Sequence, residues 1–321
     1  PVPGTRCSLS PTLRHHSTMK YKITHTTKYA YSQAVPVCHN LVHLAPRALP
    51  VQMCKEFQLL IHPEPFSITH RKDYFGNDVS YFSIDQAHMG LSVTATSQVS
   101  VMEPPPVAAA ETPAWENVVR QLKEEHTAGV LDAYQYTFES PGVKLFPELA
   151  DYAKVSFTEN RPILEAVLDL TARINKEFKY DPRATNVNTE ISEVFEQRHG
   201  VCQDFAHFQI GCLRALNLSA RYVSGYLRTN PPPGKPRLVG ADASHAWLSV
   251  YCGDKAGWID VDPTNNVQTS ADHITVAWGR DYYDVCPIQG TIVGGGEHRM
   301  TVSVDVAPEE PQPAPPAANG T

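Results

Sequence analysis

The 321-residue chain lacks the features that mark several large classes of protein. Its formal net charge is −7, and no cluster of lysine and arginine interrupts this acidic balance. Nucleic-acid binding needs such a basic patch, so nucleic acid is not an expected partner. No apolar run approaches the roughly 18 residues that cross a bilayer, so we expect no membrane partner. No internal repeat is visible, which argues against a solenoid or propeller.

Cysteine is used sparingly and without a recognisable spacing. The seven cysteines are an odd number, lie far apart and include no Cys-x-x-Cys pair, so neither a disulfide framework nor a zinc ribbon is predicted. Residues 1–18 lack the apolar core of a signal peptide and are expected to be a disordered leader before a natural start at Met19. Reduced thiols without an export signal favour the cytoplasm.

Hydrophobic patterning predicts an α+β protein with an N-terminal antiparallel β-domain. Alternating segments at the start predict a small sandwich or curled sheet, with one shared face formed by Tyr21, Ile23, His25 and Thr27. Helical periodicity then precedes further antiparallel strands, which is the order of an α+β fold rather than of βαβ units. The predicted divisions are the leader (1–18), the β-domain (19–102), a linker and helical segment (103–160), the core with its closing strands (161–306) and a Pro/Ala-rich disordered tail (307–321).

Cys202 lies at the predicted start of a long apolar helix. Gly200 permits a tight turn just before it. A thiol in this position faces unpaired backbone N–H groups and the positive end of the helix dipole, which stabilise a thiolate. Because the thiolate is the nucleophilic form, Cys202 is the candidate nucleophile. Cys212, in the middle of the helix on its apolar face, is interpreted as a core residue.

Two later strands offer a base and a carboxylate. In "SHAWLSVY" the side chains of His245 and Trp247 share one face, and in "WIDVDPT" Asp260 and Asp262 do so. A four-residue turn between the strands would place Asp262 opposite His245, whereas a two-residue turn would place Asp260 there. Cysteine, histidine and aspartate in these contexts are the nucleophile, base and orienting residue of thiol acyl transfer.

Two polar residues on the predicted helix have structural interpretations. Asp204 is expected to cap the helix start and His207 to be a structural partner. A zinc site from Cys202, His207 and Cys212 is excluded, because steps of five residues rotate successive ligands by about 140° around a helix. No metal or cofactor is expected.

Several segments resemble the transglutaminase-like superfamily. "RHGVCQDFAH", "SHAWLSVY" and "GWIDVDPTN" are similar to its three catalytic blocks. "YKITHTTKYAYSQAVPVCHNLVHLAPR" resembles the β-domain of its bacterial branch, and "HITVAWGRDYYDVCPIQG" resembles that branch's end segment. The resemblance runs from Met19 to about Val306 and implies a papain-like core, in which a nucleophile helix packs on an antiparallel sheet.

The resemblance also implies roles for individual residues. Cys202 takes the nucleophile position, His245 the base position, and Asp262, the aspartate before Pro-Thr, the orienting position. The family completes its oxyanion hole with the backbone N–H of the cysteine and an upstream aromatic donor. Tyr180 is the candidate donor, although the better-known eukaryotic members have a tryptophan there.

The expected function is thiol-dependent acyl transfer on an amide or peptide bond of a peptide or protein substrate. Hydrolysis is favoured, with a transglutaminase, an arylamine acetyltransferase and a scaffold with a vestigial site as alternatives. Trp247, Trp258 and Tyr226 are candidate walls of the substrate cleft. The Pro/Gly-rich segment 229–244 is interpreted as a spacer or as a wall of a cleft open to water.

Overall fold

The computed structural model describes residues 18–229 and 243–309. The expected leader, except for its last residue, and most of the expected tail lie outside the described residues. Within the described ranges, no helix combines the length and apolar character needed to cross a membrane. The strands and helices form an α+β protein, as the sequence predicts.

Fifteen strands and seven α-helices are described. The strands are β1 (Thr18–Val35), β2 (Val37–Val42), β3 (Gln52–His62), β4 (Ser67–Lys72), β5 (Asp78–Ile84), β6 (His88–Met102), β7 (Lys179–Tyr180), β8 (His199–Gly200), β9 (Ala220–Leu227), β10 (Ala243–Tyr251), β11 (Trp258–Asp262), β12 (Val267–Gln268), β13 (His273–Gly279), β14 (Ile288–Val293) and β15 (His298–Pro308). The helices are α1 (Trp115–Glu124), α2 (Ala128–Tyr134), α3 (Pro147–Lys154), α4 (Ile163–Glu177), α5 (Ile191–Gln197), α6 (Cys202–Ala215) and α7 (Tyr282–Val285).

The N-terminal strands form two four-stranded antiparallel sheets, ordered β15-β1-β6-β3 and β14-β2-β5-β4. Apolar side chains of both sheets meet in one cluster that includes Val35, Phe82 and Val93, so the unit is a sandwich. The predicted shared face of β1 is confirmed, because its four residues are at most 3% exposed: Tyr21, Ile23, His25 and Thr27.

The closing strands differ from the sequence-based division of the chain. They were assigned to the core, but β14 pairs with β2 and β15 pairs with β1, so both complete the N-terminal sandwich. Without β15, the 18-residue strand β1 would be a long open edge, which is a site of unwanted pairing. β15 also continues to Pro308, two residues into the expected tail.

The second half of the chain contains a five-stranded antiparallel sheet, ordered β12-β11-β10-β9-β13, with α6 packed against β9 and β10. Helix α6 begins at Cys202, as predicted, and ends before Asn217, which has a left-handed φ of 59°. Phe205, Phe208 and Cys212 on this helix are buried in the main core. The middle of the helix is therefore fixed in the core, and only its two ends, at Cys202 and Gln203 and at Ala215, are partly exposed.

Hydrogen bonds join the sandwich to the five-stranded sheet along β13. The Gln52 side chain donates to the Thr275 carbonyl at 2.7 Å and accepts from its N–H at 2.9 Å. The Asn77 side chain does the same with Trp278, at 2.8 and 3.0 Å. Because the free edge of a sheet leaves backbone groups unpaired, these two amides substitute for a neighbouring strand.

At Gly225 in β9, the Trp247 ring and the Ile274 carbonyl oxygen lie close to the backbone. A Cβ at Gly225 would clash with both, so we expect Gly225→Ala to lower the free energy of unfolding by about 3 kcal/mol or to prevent folding. Gly129→Ala in α2 is the control, because no atom lies near its added Cβ. It should leave stability unchanged or raise it by up to about 1 kcal/mol. Urea unfolding followed by circular dichroism measures both, and equal stabilities would contradict this packing.

Candidate active site

The start of α6 is shaped by Asp204. Its Oδ2 atom accepts hydrogen bonds from the Val201 N–H at 2.7 Å and from the Thr185 hydroxyl at 2.6 Å. Asp204 is the third residue of the helix, so its carboxylate caps the first turn, as predicted. A Cβ at Gly200 would clash with this carboxylate, which explains why the chain needs glycine there. The backbone before Cys202 is thereby fixed.

Cys202 and His245 interact at the start of α6. The thiol is half-buried at the first position of α6, and it contacts the imidazole that β10 presents. The Nε2 atom of His245 lies 2.7 Å from Asp262 Oδ2, which leaves Nδ1 for the thiol. The three side chains proposed from sequence therefore meet in one chain of contacts.

The register of the hairpin differs from both turns considered for the sequence. Tyr251 pairs with Trp258, so six residues separate the strands, and the register places Asp262 across from Trp247 rather than from His245. The four-residue turn was wrong because Gly253 and Gly257 adopt left-handed φ values of 89° and 65° and widen the loop. His245 reaches Asp262 along the diagonal, within range of long side chains.

The two aspartates of β11 have different partners on β10. Trp247 Nε1 donates to Asp260 Oδ2 at 2.9 Å, while His245 contacts Asp262. Asp262 is completely buried, and its Oδ1 atom accepts from the backbone N–H groups of Thr264 and Asn265 at 2.9 and 3.2 Å. Asp260 therefore pairs with the indole, and of the two aspartates only Asp262 contacts the imidazole.

Two further residues hold Asp262 and were not found in the sequence analysis. The Asn265 side chain donates to Asp262 Oδ2 at 2.6 Å, and His273 Nε2 lies 3.3 Å from the same oxygen. His273 Nδ1 accepts from the Ser270 N–H, so its proton is on Nε2, facing the carboxylate. The sequence does contain a signal for His273, because this histidine begins a strand, in the same way that His245 stands near the start of one in "SHAW".

Electrostatics favour an imidazolium–carboxylate pair. Burial lowers the pKa of His245, but hydrogen bonds to Asp262 and Cys202 outweigh it and raise the pKa to about 10. Burial likewise raises the pKa of Asp262, yet hydrogen bonds from His245 and His273 hold it well below its usual range. His245 therefore keeps its proton at neutral pH while Asp262 stays ionised.

His207 is structural, as expected. Its buried ring packs on Tyr222, with ring centroids 4.9 Å apart, and Nε2 accepts from the Tyr282 N–H at 3.1 Å. Burial lowers the pKa of His207 to about 4, so it is neutral and takes no proton from the site.

Tyr180 lies beside the candidate nucleophile. β7 and β8 pair in parallel, with Tyr180 next to Gly200. Burial and the negative charge at Cys202 both raise the pKa of the Tyr180 phenol, and its side chain remains 53% exposed. The position is compatible with an oxyanion donor, and that role stays a prediction.

The aromatic residues expected to line the substrate cleft are distributed differently. Tyr226 is only 2% exposed, and its hydroxyl lies 3.1 Å from His25 Nδ1 of the sandwich, so it belongs to the core rather than to a cleft. Trp247 and Trp258 line a cavity on the side of the sheet that faces the sandwich. Most of segment 229–244, the other expected cleft wall, lies outside the described residues.

Three of the site's atoms are also close enough to share a metal ion. One nitrogen each of His245 and His273 and an oxygen of Asp262 lie within 4.8 Å of one another. Two histidines and a carboxylate are typical zinc ligands. A cation there would compete with the proton that joins His245 to Asp262. The absence of a metal requirement therefore stays a prediction.

The contacts of Cys202 predict selective alkylation. Cys54 and Cys286 are half-buried too, but their thiols donate to backbone carbonyls and burial raises their pKa. At about pH 6, iodoacetamide should modify Cys202 at least about tenfold faster than either, because an imidazolium stabilises the thiolate. Peptide mapping by mass spectrometry measures the rates.

Two variants sharpen this alkylation experiment. All proteins compared should carry Cys7→Ser, since Cys7 lies outside the described residues. His245→Gln should slow the modification of Cys202 and leave Cys54 and Cys286 unchanged. Equal rates at the three cysteines, or no effect of His245→Gln, would contradict the contact.

Comparison with known proteins identifies the same two parts. Residues 21–100 match the family model of the bacterial transglutaminase-like N-terminal region, and residues 151–263 match that of the transglutaminase-like superfamily. An uncharacterized protein of Mycobacterium tuberculosis is 40% identical over 300 residues, covering 91% of this chain and 94% of its own. A protein-glutamine gamma-glutamyltransferase of Pseudomonas aeruginosa is 33% identical over 123 residues, covering 37% of this chain and 18% of its own.

A solved structure extends the likeness to the fold. A candidate cysteine protease from Cytophaga hutchinsonii superimposes with a TM-score of 0.70 over 93% of both chains, at 21% identity. At that identity the match establishes the shared fold, and activity is a separate question. The chain belongs to the transglutaminase-like superfamily, in the branch that has the bacterial transglutaminase-like N-terminal region.

Proposed function

We propose that this chain is a thiol-dependent hydrolase of amide or peptide bonds in peptide or protein substrates. The observation that supports it best is that His245 contacts both Cys202 and the buried carboxylate of Asp262. A nucleophile, a base and an orienting carboxylate in one chain of contacts is the arrangement that thiol acyl transfer requires.

In the proposed reaction, the Cys202 thiolate attacks the substrate carbonyl carbon and forms a tetrahedral intermediate. His245 then gives its proton to the leaving amine, the C–N bond breaks, and an acyl thioester remains on Cys202. Water attacks the thioester while His245 takes its proton, and the acid and the free thiolate are released. Asp262 fixes the orientation of the imidazole and stabilises its charge in both steps.

Two donors are proposed for the oxyanion. The N–H of Cys202 belongs to the first turn of α6, where backbone donors have no intrahelical partner. The Tyr180 hydroxyl is the second candidate, because the phenol lies near the thiol and is exposed. Donors aimed at the developing charge stabilise the intermediate more than the ground state.

Water is favoured over an amine as the acyl acceptor. Trp247 and Trp258, which could have formed aromatic walls for an incoming amine, instead line a cavity whose described lining includes none of Cys202, His245 and Asp262. The partial likeness to a gamma-glutamyltransferase keeps transglutaminase activity as the second candidate. A cytoplasmic location remains a prediction.

The experiment supplies a glutamine-containing peptide with an excess of a primary amine and follows the products by mass spectrometry. Deamidated or cleaved peptide should predominate over the amine adduct, and activity should survive EDTA. A predominance of amine-coupled peptide would make the chain a transglutaminase. No turnover and no acyl-enzyme with a panel of such peptides would favour the scaffold.

Matched variants test the assigned roles in the same assay. Asp262→Asn should lower kcat by about a hundredfold or more, because it removes the charge that orients His245. Asp260→Asn is the isosteric control, since Asp260 contacts Trp247 rather than the imidazole, and it should have a much smaller effect. Cys202→Ser should abolish detectable turnover. The reverse ranking of the two aspartates would contradict the site.

A further inference from the structure

A cavity of about 750 Å³ lies between the sandwich and the five-stranded sheet. Its walls come from the end of β6 and the proline-rich segment after it on one side, and from β9, β10, β11 and β13 on the other. Three of the four tryptophans of the chain line it: Trp247, Trp258 and Trp278. The size is that of a small-molecule site.

Arg221 is buried in this cavity, and no described residue forms a hydrogen bond with its guanidinium. The residue is 7% exposed, and its guanidinium lies between two indoles, with Cζ 4.1 Å from the Trp258 centroid and 3.7 Å from that of Trp278. Its Nε atom is fully buried and unpaired. Across residues 18–229 and 243–309, no hydrogen bond or ion pair within 4 Å satisfies the remaining guanidinium nitrogens. Indole stacking stabilises the cation but fills none of its five donors.

The acidic residues that line the cavity accept hydrogen bonds from groups other than Arg221. Asp260 accepts from Trp247 Nε1 at 2.9 Å, and Glu103 accepts from the Ala271 N–H at 3.0 Å. Asp260 acts on Arg221 only through its charge. Unpaired buried polar groups are costly, which indicates that something else satisfies them.

We propose that this cavity binds a small organic acid, with its carboxylate on Arg221 and an aromatic or other flat apolar body between the tryptophans. A guanidinium presents a planar fork that a carboxylate matches with two parallel hydrogen bonds. Indole and proline surfaces suit a flat apolar body. The same chemistry is found in a free aryl carboxylate and in the carboxyl terminus of a peptide that ends in an aromatic residue.

This site is separate from the proposed reaction centre. Cys202, His245 and Asp262 do not line the cavity, but Trp247 and His273 do. The binding test below is therefore independent of whether the chain hydrolyses amides.

The test is a titration of the protein with 3-phenylpropanoate, followed by tryptophan fluorescence and by calorimetry. We expect saturable binding with a fluorescence change, because most of the indoles surround the ligand. The neutral isostere 3-phenylpropanamide should bind at least about tenfold more weakly, since it lacks the charge that Arg221 pairs with. A Gly-Gly-Phe peptide, with a free or an amidated carboxyl terminus, distinguishes a peptide terminus from a free acid as the source of the carboxylate.

Variants place the ligand at Arg221. Arg221→Met should weaken binding by at least about tenfold. Arg47→Met is the control, because Arg47 stacks on Trp278 at 3.5 Å but does not line this cavity. Ala256→Phe should abolish binding by filling the space while keeping the guanidinium, and it serves if Arg221→Met does not fold. No saturable binding to the unaltered protein, equal affinity for acid and amide, or unchanged binding in Ala256→Phe would overturn the proposal.

Discussion

The buried carboxylate of Asp262 is the constraint on which the site depends. A fully buried ion without partners would cost several kcal/mol, so its neighbours must supply hydrogen bonds and a positive charge. His245 supplies the charge, while His273 and Asn265 occupy the same oxygen. Several elements bring these partners to Asp262. The pairing of β10 and β11 places His245 diagonally across from Asp262, and β13 carries His273. Asn175 of α4 stabilises the turn after Asp262 by donating to the Thr264 carbonyl at 2.8 Å.

The sequence predicted the parts of the site whose determinants are local. The start of α6 follows from Gly200 and from the helical periodicity after Cys202, and the shared face of β1 follows from simple alternation. The register between β10 and β11 did not follow, because it depends on a loop that two glycines with positive φ widen. His273 was missed because β13 joins the sheet beside β9, so only the folded chain brings it to Asp262.

The sandwich supports the five-stranded sheet in a way that its sequence alone does not reveal. It receives the closing strands β14 and β15 and satisfies the free edge of β13. Trp247 and His273 neighbour the candidate site, through His245 and Asp262, and also line the cavity.

The central claim is that Asp262 keeps a proton on His245 at neutral pH, and NMR titration of His245 tests it most directly. The Cys202→Ser protein lacks the thiol, so its imidazole reports on the carboxylate. The pKa of His245 is about 6.5 in the unfolded chain and is raised to about 10 in the folded protein. The pair therefore stabilises the fold fully when the pH is below about 6.5, and this stabilisation is lost as the pH rises toward about 10. The pKa of His245 should therefore lie above 7 in Cys202→Ser. When Asp262→Asn is added, the pKa should fall below about 6.5, because burial then dominates. The same titration curve in both proteins would contradict the account.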